Sequence, residues 1–145
     1  MNAVQAIDRI GVSMGLTFPC GPALELLAAE NTVKTPKPRI SVKDGVCNLS
    51  GLENMAQKLL DQTDSKPLVA AFVLDFIAET LRAMAAFARE QYGDLPILFA
   101  GGVMSNRIIA KKLSAYLGQT YFAKPAFSAD NAAGIALLCR ARMKK

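Results

Sequence analysis

Histidine is missing from this chain of 145 residues. No imidazole-ligated metal centre can be assembled from it alone, and no imidazole base is available at neutral pH. Ser/His and Cys/His nucleophile pairs are excluded on the same ground. Cysteine is scarce: Cys20, Cys47 and Cys139 are odd in number and widely spaced, so they read as reduced, part-buried thiols of an intracellular protein, not as a disulfide frame or metal cluster. Long apolar runs are absent too. The longest uncharged stretch, Ile10 to Leu24, is broken by glycines and prolines and is too short to span a bilayer, and no signal-peptide pattern is visible. The expectation is one cytoplasmic domain over residues 1–145 with no membrane contact. With 52% apolar residues it has enough to bury a sizeable core.

What is present is mostly helical pattern. Helices are expected near residues 2–15, 21–30, 51–63, 67–92, 105–117 and 128–142. Ile40-Ser41-Val42 and Val46-Cys47-Asn48 flank Lys43-Asp44-Gly45, a small hairpin by its Asp-Gly turn. In the segment from Pro67 the polar residues are mainly Asp75, Glu79, Arg82, Arg89 and Glu90, leaving Val69, Phe72, Val73, Phe76, Leu81, Met84 and Phe87 for burial. So narrow a polar stripe predicts a central helix packed on more than one side. The net charge of +5 gathers at Lys34, Lys37, Arg39 and Lys43, at Arg107, Lys111 and Lys112, and at Arg140, Arg142, Lys144 and Lys145. That balance is compatible with a phosphate-rich partner, although basic helix ends also complement the helix dipole.

Two motifs carry candidate chemistry. Ile97-Leu98-Phe99-Ala100 followed by Gly101-Gly102-Val103-Met104-Ser105-Asn106 reads as a buried strand ending in a glycine turn that opens a helix. Two glycines let the backbone approach a ligand, and the first helical amides point N–H groups at an anion such as a phosphate. Asp130-Asn131-Ala132-Ala133-Gly134-Ile135-Ala136 puts an acid and an amide in the first turn of a second helix.

These blocks have company in the first half of the chain. Asp8-Arg9-Ile10-Gly11 followed by Met14-Gly15-Leu16-Thr17-Phe18-Pro19-Cys20-Gly21-Pro22 as one block, and Asn48-Leu49-Ser50-Gly51-Leu52 as another, complete an ordered set of four spread over about residues 5 to 140. Together they resemble the C-terminal part of the tRNA N6-threonylcarbamoyladenosine transferases, the family once called O-sialoglycoprotein endopeptidase or peptidase M22. The resemblance implies an α/β, helix-rich C-terminal lobe of the actin/Hsp70/sugar-kinase type with a small sheet. The family's N-terminal lobe, with its paired histidines and phosphate loop, is expected to be absent.

By this resemblance Asp8 and Glu25 meet the ribose hydroxyls of an adenylated threonylcarbamoyl substrate or ATP. Gly21 lies against sugar or base, Gly101 and Gly102 give close backbone approach, and Asn106 bonds the nucleotide. Asp130 matches the one metal ligand this lobe contributes to an iron or zinc site. Without the two histidines it is expected to be empty, and no catalytic residue or resident cofactor is expected in this chain. Implied partners are the missing lobe, tRNA and related pathway subunits. A lone lobe should also expose apolar surface around Met14, Phe18, Pro19 and residues 101–104, favouring a homodimer. The chain departs from the family pattern at Arg9, where a lysine is usual, at Cys20, at Ala129, and at Glu53 in place of a lysine. The last reverses a charge near a phosphate-bearing ligand. The implied activity is transfer of threonylcarbamoyl to N6 of the adenosine beside the tRNA anticodon, with the isolated chain inactive. The alternative is a non-catalytic nucleotide-binding or scaffold paralogue pairing with a related subunit.

Overall fold

A computed structural model describes residues 2–128, together with 139, 140 and 142. The chain runs α1 (Ala3–Ser13), α2 (Gly21–Ala29), β1 (Ser41–Lys43), β2 (Val46–Asn48), α3 (Ser50–Thr63), α4 (Lys66–Tyr92), β3 (Ile97–Phe99), a 3-10 turn (Gly102–Ser105), α5 (Arg107–Tyr116), β4 (Thr120–Phe122) and a final helical turn, α6 (Pro125–Ser128). The result is a helix-rich α/β fold with little sheet. The expected helix over 128–142 falls largely outside the described residues, as does Asp130.

Local chemistry explains the boundaries. Asn2 and Gln5 cap α1 reciprocally, the Asn2 side chain accepting from the Gln5 N–H at 2.8 Å and the Gln5 side chain from the Asn2 N–H at 3.1 Å. Ser65 caps α4 with Pro67 in its first turn, and Gly93 at φ +86° ends it. The hairpin pairs Val42 with Cys47, and its turn residues Asp44 and Gly45 both have positive φ, as a two-residue turn of this hand requires. A Cβ on Gly45 would stand 2.8 Å from the Phe87 ring, so the turn lies directly on α4.

Helix α4 is the axis of the core. It packs against α2, α5, α3 and the hairpin, and Val69, Phe72, Val73, Leu74, Phe76 and Ile77 are all buried along it. Each large side chain of this kind contributes about 1.5–3 kcal/mol by leaving water. Leu81, Met84 and Phe87, expected in the core as well, are half-buried towards the helix's C-terminal end.

Its polar stripe is not all solvated. Asp75 is only 13% exposed and accepts from the Lys112 ammonium on α5 and from the Thr35 hydroxyl in the extended segment before the hairpin. Desolvation lowers the Lys112 pKa. One carboxylate thus ties three separate segments together.

The second sheet departs from expectation. β3 and β4 pair in parallel, Leu98 opposite Tyr121, with Phe99 stacked on Phe122 at 5.2 Å on the inner side. Leu98 is 68% exposed, so the strand is buried on one face only.

Candidate functional site

One cavity of ≈ 290 Å³ gathers residues from three regions of the chain. Helix α1 supplies Val4, Ile7 and Asp8, neighbours on one helical face by their three- and four-residue spacing. The loop into α2 and its first turns supply Pro19, Gly21, Pro22 and Glu25, and the glycine turn supplies Gly102, Val103, Ser105 and Asn106. Asp8, Gly21, Glu25, Gly102 and Asn106 therefore line a common space. Gly101 lines the adjoining groove, which shares Val4, Gly102 and Val103 with the cavity.

A close backbone contact brings the first two segments together. A Cβ on Gly11 would stand 2.4 Å from the Cys20 Cβ, so only glycine lets the loop settle on α1 at that point. The Cys20 N–H then donates to Asp8 Oδ1 at 2.8 Å. Cys20 is fully buried, its thiol facing the carbonyls of Asp8 and Leu16. Burial, and secondarily the Asp8 charge, pushes the thiol pKa up.

Glu25 makes the corresponding link on the other side. Its Oε1 accepts from the Arg107 N–H at 2.8 Å, while Asn106, the N-cap of α5, accepts from the Ile109 N–H at 3.0 Å. The expected free helical amides are thus largely taken by the protein's own side chains. The helix also begins later than expected, because the 3-10 turn separates the glycines from α5. Glu25 occupies the place where an outside anion would have docked. Each carboxylate is oriented by one backbone bond, and its second oxygen has no partner among the described residues.

The glycines leave room. A Cβ on Gly21, Gly101 or Gly102 would meet nothing within 4 Å, so internal packing demands glycine at none of them. Gly101 also has φ +115°, which favours glycine on backbone grounds. Its two backbone polar groups are held by Ser128, whose buried hydroxyl accepts from the Gly101 N–H at 2.9 Å and donates to the Gly101 carbonyl at 2.8 Å. No sequence signal marks Ser128, 27 residues away. Val4 could have been found from its four-residue spacing to Asp8, and Ile7 from its three-residue spacing to Val4; Val103 and Ser105 lay inside the glycine motif.

Other expectations change. Met14 and Met104 are 3% and 8% exposed, so they belong to the core and not to an open interlobe face, whereas Phe18 is exposed as expected. Glu53 lies outside the cavity and pairs with Arg9 at 3.1 Å. The charge reversal is answered by the neighbouring departure from the family pattern. Among the described residues no three acids or cysteines converge on a common point. The chain has no histidine, so the described residues do not fit an iron or zinc site.

Fold and cavity together define a helix-rich α/β subdomain with an open cleft between two helices and a glycine turn. Residues 3–137 match the family described as carbamoyltransferase, Kae1-like domain, second subdomain, and the chain belongs to that family. Its function is therefore related to carbamoyl transfer. No described helix is long and apolar enough to cross a membrane.

Proposed function

We propose that this chain forms the sugar- and base-facing wall of a carbamoyl-transfer site whose donor is an adenylated carbamoyl group. The observation that carries the reading is the convergence of Asp8, Gly21, Glu25, Gly102 and Asn106 on one cavity. Two pre-oriented carboxylates suit a ribose diol, because each keeps an oxygen to accept from an O–H donor. The apolar side chains of Val4, Ile7, Pro19, Pro22 and Val103 suit the flat faces of a base. The phosphate is met elsewhere, since Glu25 and Asn106 already satisfy the first turn of α5.

In the finer form of this reading the chain is the C-terminal lobe of an actin/Hsp70-like transferase. The carbamoyl group bears threonine and the acceptor is N6 of the tRNA adenosine beside the anticodon. The acceptor nitrogen attacks the carbamoyl carbon, the carbon–oxygen bond to phosphate breaks, and AMP leaves with the bonding pair. A first lobe supplies the phosphate contacts and any metal, so the isolated chain is inactive. The scaffold alternative drew on the charge reversal at Glu53, and the Arg9 partner weakens that ground.

The test is an NMR titration of the chain with AMP. A cavity of ≈ 290 Å³ is at the small end of ligand sites, and one wall should bind at roughly millimolar affinity or worse, no more than about 4 kcal/mol. Shifts should centre on Gly21, Gly102 and Asn106. Asn106→Ser, which keeps a capping oxygen, should weaken them without unfolding the helix. Micromolar binding, or shifts confined to the basic residues near the C-terminus, would refute the half-site.

A further inference from the structure

The glycine turn in the cavity wall is built from residues with little means of holding their own conformation. Glycine visits positive φ about as readily as negative φ, so Gly101 at φ +115° and ψ +160° is permitted by its own chemistry but not selected by it. A Cβ there would meet nothing within 4 Å, so no neighbour presses on that side of the residue. Further along, the Met104 side chain is buried, its N–H donates to the Gly101 carbonyl at 2.9 Å, and the Asn106 N–H donates to the Val103 carbonyl at 3.1 Å. Those two hydrogen bonds close the turn upon itself and do not set how its glycine end is aimed.

Ser128 does set it. It ends α6, the single helical turn after β4, and α6 packs on the glycine turn. Near-extended backbone presents its N–H and carbonyl on the same side, and at Gly101 both meet one oxygen: Ser128 Oγ accepts from the N–H at 2.9 Å and donates to the carbonyl at 2.8 Å. A hydroxyl carries one donor and two lone pairs, so Ser or Thr can fill both roles and Ala neither. With both groups tied to one atom, φ and ψ of Gly101 are specified together. Ser128 is 5% exposed, so water scarcely competes for these bonds.

We propose that Ser128 is a positioning residue of the cavity, aiming Gly102, Val103 and Asn106 at the bound nucleotide through its two bonds to Gly101, a role that rests on the nucleotide reading of this cavity. Ser128 does not line the cavity and touches no ligand itself. It acts through the chain: a rotation about φ or ψ of Gly101 swings the residue that follows, and that residue, Gly102, is part of the wall. The wall can therefore shift while α5, capped by Asn106, stays formed.

Loss of the hydroxyl has a definite consequence. Ser128→Ala takes the partner from both Gly101 groups and frees the turn to sample the other conformations open to glycine. The binding arrangement is then one among several, and apparent affinity falls with the fraction of chains that hold it. A competent fraction of about one-third to one-tenth corresponds to a Kd for AMP roughly three- to tenfold higher.

A double-mutant cycle on Ser128 and Gly101, read by NMR titration with AMP, tests this. Ser128→Ala should raise the Kd about three- to tenfold, and Ser128→Thr, which keeps the hydroxyl, should stay within about twofold of the wild type. Gly101→Ala puts a Cβ into open space but disfavours φ +115°, so it disturbs the turn through the backbone alone. With the turn already released, adding Ser128→Ala should raise the Kd by less than about twofold more. In the ligand-free chain Ser128→Ala should speed amide exchange at Gly101 and leave that of Ile109, bonded to Asn106, unchanged. A residue that only stabilises the fold would lower the unfolding temperature without moving the Kd. That result, or effects of the two substitutions that multiply in full, would overturn the proposal while the nucleotide reading stands. A wild-type chain that shows no AMP shifts would refute the nucleotide reading, and the positioning role with it.

Discussion

The thiol of Cys20 lies at the point where two segments of the site meet, and its burial gives it a measurable signature. Its native pKa is raised. Below about pH 8.5, the ordinary thiol value, folded and unfolded chains both carry the proton and the contribution to stability is complete. As pH rises further the unfolded chain loses the proton first, so stability falls until the native thiol also ionises. The difference in unfolding free energy between wild type and Cys20→Ala, followed from pH 7 to 10, should therefore drift against the wild type above about pH 8.5. Native Cys20 should also resist iodoacetamide under conditions that label the exposed Cys139. Equal labelling of the two would contradict the burial described.

A second residue-scale expectation follows from the 2.4 Å approach. Gly11→Ala overfills the contact with Cys20 and should cost about 1–3 kcal/mol in denaturant unfolding. Cys20→Gly in the same chain removes the clashing atoms and should recover much of that loss. If the double variant is no more stable than Gly11→Ala alone, the clash lies elsewhere.

Among the elements, α5 depends on groups outside itself. Glu25→Ala removes the acceptor from its first amide and should cost about 1 kcal/mol, whereas Glu25→Gln keeps an oxygen there and should cost less. Thermal unfolding of the two variants, compared with amide exchange over residues 107–110, checks this. Equal losses would mean that charge, not the hydrogen bond, is what matters. Much at this scale was legible in the sequence. The Asp44-Gly45 hairpin and the span of α4 follow from turn chemistry and periodicity. The 3-10 turn did not, because Gly-Gly-Val-Met-Ser-Asn before the helical pattern does not mark where the irregular turn ends and the helix begins. The ties of Asp75 to Thr35 and Lys112 were hidden for a different reason: a polar residue on a helical face looks the same whether it meets water or a partner 40 positions away.

For the molecule as a whole, the ordered motifs brought much of the site together, since residues of the blocks at Asp8, at Pro19–Pro22 and at Gly102–Asn106 come to share one cavity, whereas the Asn48–Leu52 block does not line it. What they could not convey was cover. Alternation marks Leu98 as apolar, but whether anything lies over it depends on chain that a periodicity does not contain. The metal expectation also belongs at this scale. Elemental analysis of purified protein should find less than about one-tenth equivalent of iron or zinc, because affinity depends steeply on ligand count. Stoichiometric metal that is lost in Asp130→Asn would contradict it.

The Arg9–Glu53 pair alters how divergence is to be weighed in this chain. Counted position by position, an arginine for lysine and a glutamate for lysine are two erosions of a motif, one of them a reversal of sign. Counted by contact they are one exchange, made on the outer side of α1 and α3, with both side chains partly in water and an interaction worth about 1 kcal/mol or less. These two mismatches meet at the rim of the molecule, whereas a third, Cys20, is buried where two segments of the cleft wall come together.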